Sequence, residues 1–444
     1  NRNIQLALFK GIFTNFIRPN LPNEDKKPLM SKQNLGSLTS KNSLRYSGFR
    51  RFAVSLLLTS LGGQLLQIAI LWQVYEITGS ALLLGLSGLA RAAPHMILSM
   101  VGGVLADRLN RVYLVQAGQL TNATVLSVLA FLVLTDSVVV WHLYVVTLLN
   151  SAFSAITQPS RTALIPSLVP HRNLVNAIAL NATIGQISHI AGPALAGFTI
   201  AYIGLESTYL ISGLLYLLSM IAILGIQVAS VSTANGEGPW HSFTQGMAFV
   251  WSKPVIISLL LVDVGATTLG SYRALLPIFA EALGVGAAGF GILSAAPGIG
   301  SVLGAGVMLS LGDMRYKGLY TVFGVLFYSG ALVILALAPS FNVAIFAAGL
   351  LGMANTVQVI PRNSVILGIS PAQLRGRVEA FRSMVAGGAP SLGYTLSGGI
   401  AALLGAPLAV LIGAISCGLL VIMIGVSHAA LRDKNLGEPP IIVS

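Results

Sequence analysis

The sequence predicts an all-α membrane protein of twelve transmembrane helices, arranged as two six-helix halves with both termini in the cytoplasm. Three observations carry this prediction: a composition too apolar for water, a series of long apolar runs, and a strict alternation of charge in the segments joining them. Hydrophobic residues fill 55% of the 444 positions and charged residues only 9%, with a mean hydropathy of +0.83. So much apolar surface exceeds what a water-facing shell can hide, so the solvent is lipid.

A hydrocarbon core about 30 Å thick is crossed by roughly 20 apolar residues of helix. Runs of that kind cover 52–75, 81–105, 112–135, 138–158, 174–203 and 207–229 in the first half. In the second half they cover 255–281, 286–312, 319–338, 341–361, 378–404 and 406–431. They are long and continuously apolar, unlike the short alternating strands of a transmembrane barrel. Residues 1–50 read as a basic cytoplasmic leader, expected to be disordered, with no function assigned to residues 1–29 ahead of Met30. The halves then span 51–229 and 253–431, separated by a cytoplasmic linker at 230–252 and followed by a tail at 432–444. Asn235, Gly236, Glu237, Gly238 and Pro239 give the linker a loop composition. The first apolar run is longer than a signal-peptide core and is expected to persist as the first membrane helix.

Charge sets the orientation, because Lys and Arg stay on the cytoplasmic side during insertion. The even-numbered connections and adjoining helix ends carry Arg108, Arg111, Arg161, Arg172, Lys253, Arg315, Lys317, Arg362, Arg375 and Arg377. The odd-numbered ones carry Glu76, Asp136, Glu206 and Glu281 and no cation. The net charge of +12 does not point to nucleic acid, since ten of the 25 Lys and Arg fall within the first 51 residues and the others punctuate apolar runs. Cys417 is the lone cysteine, so neither a disulfide framework nor a thiolate metal site is expected. An ATP-driven pump is disfavoured because no Gly-Lys pair exists to build a phosphate loop. An enzyme is disfavoured because Asp and His are too sparse for a catalytic or metal cluster.

The connection after the second run reads Gly103-Val104-Leu105-Ala106-Asp107-Arg108-Leu109-Asn110-Arg111. It resembles the major facilitator signature between helices two and three, with Asn110 where that family usually has Gly. Asn tolerates a left-handed turn, so the same backbone is expected there. Further phrases resemble the enterobactin-exporter-like and macrolide-efflux-like branch, the transmembrane secretion effectors. They are Val74-Tyr75-Glu76-Ile77-Thr78-Gly79-Ser80, Gln158-Pro159-Ser160-Arg161-Thr162-Ala163-Leu164-Ile165-Pro166, Gly289-Phe290-Gly291-Ile292-Leu293 and Arg375-Gly376-Arg377-Val378. The resemblance spans roughly residues 50–431. It implies the major facilitator fold, alternating access in the inner membrane, no cofactor beyond a proton gradient, and action as a monomer on a small molecule. It also implies a cytoplasmic gate of Gly103, Asp107, Arg108 and Arg111, with Arg161, Arg375 or Arg377 facing Asp107. In the fifth run Ala179, Ser188, Gly192, Pro193, Ala196 and Gly197 occupy the positions of the antiporter motif, which favours export; tight helix packing is the alternative.

Charges within a membrane cost at least about 2.5 kcal/mol each, so those present pair or line a wet cavity. Asp263 in the seventh run is the proton-carrying candidate, with Arg91 of the second run as its counter-charge and His189 as a further titratable group. The other expectation for Asp263 and Arg91 is a fixed ion pair or separate contacts with backbone carbonyls, and for His189 a hydrogen bond between helices. Glu379 and Arg382 are spaced to pair on one helix. Gln64, Gln67, Asn150 and Asn181 are the neutral cavity candidates, or else hydrogen-bonded glue between helices. A greasy cavity with few charges is expected, suited to amphipathic drugs or siderophores, or alternatively to a lipid or lysophospholipid carried by the same fold.

Overall fold

The computed structural model describes residues 40–226, 239–312, 314–371, 373–433 and 436, and within them the chain is helical with no β-strand. The expected leader up to residue 39 and the linker residues 227–238 lie outside the described residues. The first half contains α1 (Ser47–Thr78), α2 (Ala81–Arg108), α3 (Arg111–Leu134) and α4 (Val140–Leu168). It ends in a continuous stretch, Leu174–Ile223, that Gly204 at φ 88° divides into α5 (174–203) and α6 (205–223). The second half follows a short helix α7 (Pro239–Trp251) and contains α8 (Pro254–Thr268), α9 (Leu276–Ala282), α10 (Gly286–Leu311) and α11 (Lys317–Ala336). It closes with α12 (Phe341–Ile369), α13 (Arg375–Leu404) and α14 (Ala406–Ser427).

Among the described residues, ten helices are long and apolar enough to cross a membrane, with α5–α6 counted once and α8–α9 counted once. The 30-residue α13 is not one of them, because its first turns carry Arg375, Arg377, Glu379 and Arg382 and its remainder is rich in Gly and Ser. The outer faces stay apolar: Phe131, Trp141, Tyr202 and Leu403 are 65%, 73%, 74% and 85% exposed, as side chains that meet lipid rather than water must be. The connections use ordinary helix chemistry. Gly79 ends α1 in the left-handed region and returns its N–H to the Tyr75 carbonyl, and Ser80 caps α2 by accepting from the Leu83 N–H.

Four features depart from the predicted spans. The fourth and tenth runs, expected to end at 158 and 361, continue to Leu168 and Ile369. Pro159, Pro166 and Pro361 lie inside these helices, where packing against neighbours offsets the missing backbone bond. The seventh run is broken: α8 stops at Thr268, a 3₁₀ turn occupies Arg273–Leu275, and α9 resumes at Leu276. Gly270 sits in this break, and its freed carbonyl accepts a hydrogen bond of 3.0 Å from the Tyr328 hydroxyl. Part of the expected linker loop is the helix α7, which Pro239 starts and which lays Gly246 and Val250, one turn apart, against the second half. At the expected leader's end, Ser40–Arg45 forms a 3₁₀ turn and α1 begins at Ser47, with Phe49 only 1% exposed.

The two halves meet through two helix pairs, α2 with α13 and α5 with α10. Both crossings are glycine on glycine. A Cβ on Gly398 would stand 2.6 Å from the Gly85 Cα, and a Cβ on Gly197 would stand 2.7 Å from the Gly291 Cα. Neither contact can relax by rotating a side chain, since backbone faces backbone. The close approaches run from these crossings to His95 and Met96 against Gly387 and Gly388 on one side, and to Gly298 against Ile190 on the other. The approaches begin at the end bearing the acidic connections and reach the middle of the helices, so the halves are joined over that stretch.

Gly197→Leu and Gly398→Leu should each separate the halves, at a cost of about 1–3 kcal/mol for overpacking. The check is the melting temperature of purified protein in detergent. Gly103→Ala, at a position where an added Cβ meets nothing within 4 Å, should melt like the parent.

Candidate functional site

Between the halves lies a cavity of about 480 Å³, adjoining one of about 220 Å³ lined by the first half and Tyr394. The two share Gln64, Gln67, Leu71, Arg91, His189 and Tyr394 and form one branched space. From the first half α1 supplies Gln64 and Gln67, α2 Arg91, α4 Asn150 and Arg161, and α5 Ser188 and His189. From the second half the break after α8 supplies Ser271, Tyr272 and Arg273, while α11, α12 and α13 supply Tyr328, Asn355 and Tyr394.

Among the described residues no Asp or Glu lines either branch, whereas Arg91, Arg161 and Arg273 do. The expected greasy, cation-poor cavity is therefore replaced by a polar one of positive charge. The reason is convergence. Arg161 lies within the extended α4 rather than in a loop after it, and Arg273 lies in the helix break. Arg91 makes no side-chain hydrogen bond or ion pair among the described residues and is exposed to the cavity. Arg273 lines the larger branch together with Tyr272, Tyr328 and Tyr394.

The amide candidates divide by role. Gln64 shares a 3.0 Å hydrogen bond with Nδ1 of His189, tying α1 to α5 at the cavity wall. Gln67 lines both branches. Asn150 donates at 3.0 Å to both the Asn122 side-chain oxygen and the Tyr216 hydroxyl, so it is glue between α4, α3 and α6 as well as wall. Asn181 lines neither branch.

Asp263 lies outside the cavity. Its counter-charge is Arg362 on α12, not Arg91, and the paired side chains are 5% and 2% exposed. Arg362 also donates to the Gln358 side-chain oxygen at 3.1 Å. Next to this pair, Arg382 and Glu379 of α13 form a second one, with Nε to Oε2 at 2.8 Å, and the two pairs feel each other's charge. Arg362 is the residue that sequence reasoning missed. The proline before it marked the end of a run, so its guanidinium was assigned to a loop.

At the opposite end from the glycine crossings, Arg108 is exposed and Arg111 donates to the Ala163 carbonyl at 3.4 Å, linking α3 to α4. Asn110 does not make a left-handed turn. At φ −64° it caps α3, accepting from the Val112 N–H, so a residue with a short acceptor serves where a glycine turn was expected. Arg375 donates to the Ser370 carbonyl at 3.2 Å, and the Arg377 backbone packs on Gly246 of α7. The Asp107 side chain lies outside the described residues. In α5, Gly192 packs on the Gln64 side chain, Pro193 lines the larger branch, and Gly197 forms the crossing with α10.

Against this geometry the transmembrane secretion effector family matches residues 39–437 of the chain. The enterobactin exporter EntS of Shigella boydii serotype 4 (strain Sb227) is 24% identical over 379 residues, covering 84% of this chain and 90% of that one. The exporter of the same name from Escherichia coli O81 (strain ED1a) shows the same identity and coverage. Among solved structures, a D-xylose-proton symporter superposes with a TM-score of 0.66 at 12% identity, covering 89% of this chain and 99% of that one. A bacterial homologue of the human lysosomal transporter Spinster, in an inward-facing and occupied conformation, superposes with a TM-score of 0.64 at 15% identity, covering 87% and 96%. These structures share the fold.

The buried pair makes a sharp stability prediction. Asp263→Leu or Arg362→Leu alone leaves one unpaired buried charge and should cost about 3–5 kcal/mol. The double variant should be more stable than either single one. Thermal melting of the four proteins as a double-mutant cycle checks this, and additive losses would mean the two side chains do not interact.

Proposed function

Because the chain belongs to the transmembrane secretion effector family of the major facilitator superfamily, we propose that it is a proton-coupled exporter of amphipathic small molecules, working by alternating access. It is a multi-pass membrane transporter, of a family that transports rather than catalyses. In this reading the ten apolar stretches resolve into twelve spans. The kink at Gly204 separates the fifth from the sixth, and α13, whose polar face meets α2, is the eleventh. The basic connections then face the cytoplasm with both termini, and the membrane is the bacterial inner membrane.

The observation that carries the reading is a cavity bounded by both halves, whose backbones meet glycine on glycine at the acidic end. The closed end bears the acidic, outer connections, so the conformation is inward-open and ready to load from the cytoplasm. Rocking the halves about the cavity, releasing the glycine crossings and closing the basic end, delivers cargo outside. One chain holds the whole cavity, which supports action as a monomer. The relatives named enterobactin exporters favour a siderophore or a drug of similar character as cargo. A lipid cargo fits a polar, arginine-lined cavity less well.

For coupling, the proton site is the cluster of Asp263, Arg362, Glu379 and Arg382. In this reading Arg362 parts from Asp263 during the transport cycle. The neighbouring Glu379 offers Arg362 an alternative partner when the halves move. Both pairs lie in the second half, and α8 joins Asp263 to the break that carries Arg273, so protonation and cargo binding act on the same element.

Efflux-deficient cells expressing the chain should accumulate several-fold less amphipathic drug or siderophore. A protonophore should remove the difference, and so should Asp263→Asn or Glu379→Gln. Unchanged export by either variant, with normal protein in the membrane, would remove that carboxylate from coupling.

A further inference from the structure

The cavity wall holds three arginines and a histidine, and among the described residues no carboxylate lines it with them. We propose that the transported cargo is a small aromatic anion carrying two negatively charged groups, bound between Arg91 of the first half and Arg273 of the second. The proposal rests on the exporter reading above and adds to it the chemical class of the cargo.

An arginine inside a membrane protein that has no protein partner must be hydrated, or it costs several kcal/mol. In the open state, water in the cavity hydrates Arg91. Alternating access then requires an occluded state from which much of that water has left. Empty, this state would bring Arg91 and Arg273 toward each other across the closing halves in a medium of low dielectric, with His189 on the wall shared by both branches. A dianion reverses the sign. It gives each guanidinium a carboxylate or phenolate to hold by charge-assisted bonds, and closure then strengthens those contacts instead of opposing them. The empty protein is thus hindered from closing and the loaded one is not, as an exporter requires to avoid idle turnover.

The rest of the lining agrees with this class of ligand. Tyr272, Tyr328 and Tyr394 line the same branch as Arg273, and their rings suit an aromatic body. Gln67 and Asn355 offer amide donors on opposite walls. A cationic drug would meet only like charge here, and no acid balances it.

The test uses a matched set of probes: naphthalene-2,6-dicarboxylate, the neutral 2,6-naphthalenedimethanol and the dication of 2,6-bis(aminomethyl)naphthalene. Binding to the purified full-length transporter is measured by isothermal titration, and transport of each probe is measured in proteoliposomes. The dianion should bind at least tenfold tighter than either analogue. Arg91→Gln and Arg273→Gln should each weaken it at least tenfold, while Arg91→Lys and Arg273→Lys should recover part of the loss. Equal binding of the diol or the diamine, or unchanged dianion affinity in both Gln variants, overturns the proposal. If a Gln variant does not fold, the comparison of the three probes on the unmodified protein decides. Transport of the diol or diamine without dianion binding refutes this inference and leaves the exporter reading intact. Dianion binding with no transport of any probe supports the cargo class and counts against export.

Discussion

The backbone contact between the halves is the constraint on which the rest depends. In lipid there is no hydrophobic drive to bring helices together, so their association relies on close packing and on hydrogen bonds across the interface. Glycine at 85, 398, 197 and 291 allows the approach. Thr395 donates to the Gly85 carbonyl at 3.1 Å and Gln186 to the Gly298 carbonyl at 2.9 Å, adding a polar bond at each crossing. These contacts run along both helix pairs, and the Trp72 and Phe290 rings stack across the halves beside them. They join the acidic ends of the halves and leave a space between Arg91, His189 and Arg273.

The same constraint sorts the charges into two kinds. Arg362 and Asp263 are buried within the second half, where each would be intolerable alone, so they are paired. Arg91 and Arg273 face the shared cavity, where water can stand in for a partner until cargo arrives. Only the second kind can respond to a ligand directly. The first responds to movement of the helices that hold it, and α8, with Asp263 inside it and the break to Arg273 just after it, belongs to both. A broken helix is suited to that role, since its freed carbonyl at Gly270 is held by a single Tyr328 hydroxyl that can move with α11.

The sequence made the helical membrane architecture legible because lipid imposes it on every long apolar run, and loop charge gave an orientation for the same reason. It also located the unusual intramembrane residues one by one: Arg91, Asp263 and His189. Their partners were another matter. Gln64 meets His189, and Asp263 meets Arg362, only because separate helices are packed side by side, and spacing along the chain holds no record of that. Proline misled twice. Pro159 and Pro361 were read as helix ends, which placed Arg161 and Arg362 in loops when one lines the cavity and the other is buried in the second half. The positive character of the cavity was hidden in the same way, since its arginines come from α2, from α4 and from the break after α8. Asn110 shows a local version of the limit: the residue tolerates a left-handed turn, yet here it uses its side chain to cap a helix.

The most direct test of a pivot about the glycine crossings is distance measurement by pulsed electron resonance in proteoliposomes, with Cys417 first replaced by Ala. One spin-label pair at Leu109 and Gly376 reports the basic end, and another at Leu82 and Leu404 reports the acidic end; all four positions are exposed. The account predicts two populations whose proportions shift between acidic and alkaline buffer, the basic-end distance shortening as the acidic-end distance lengthens. Distances that stay unimodal and fixed at both ends, or that change in the same direction at both, would contradict it.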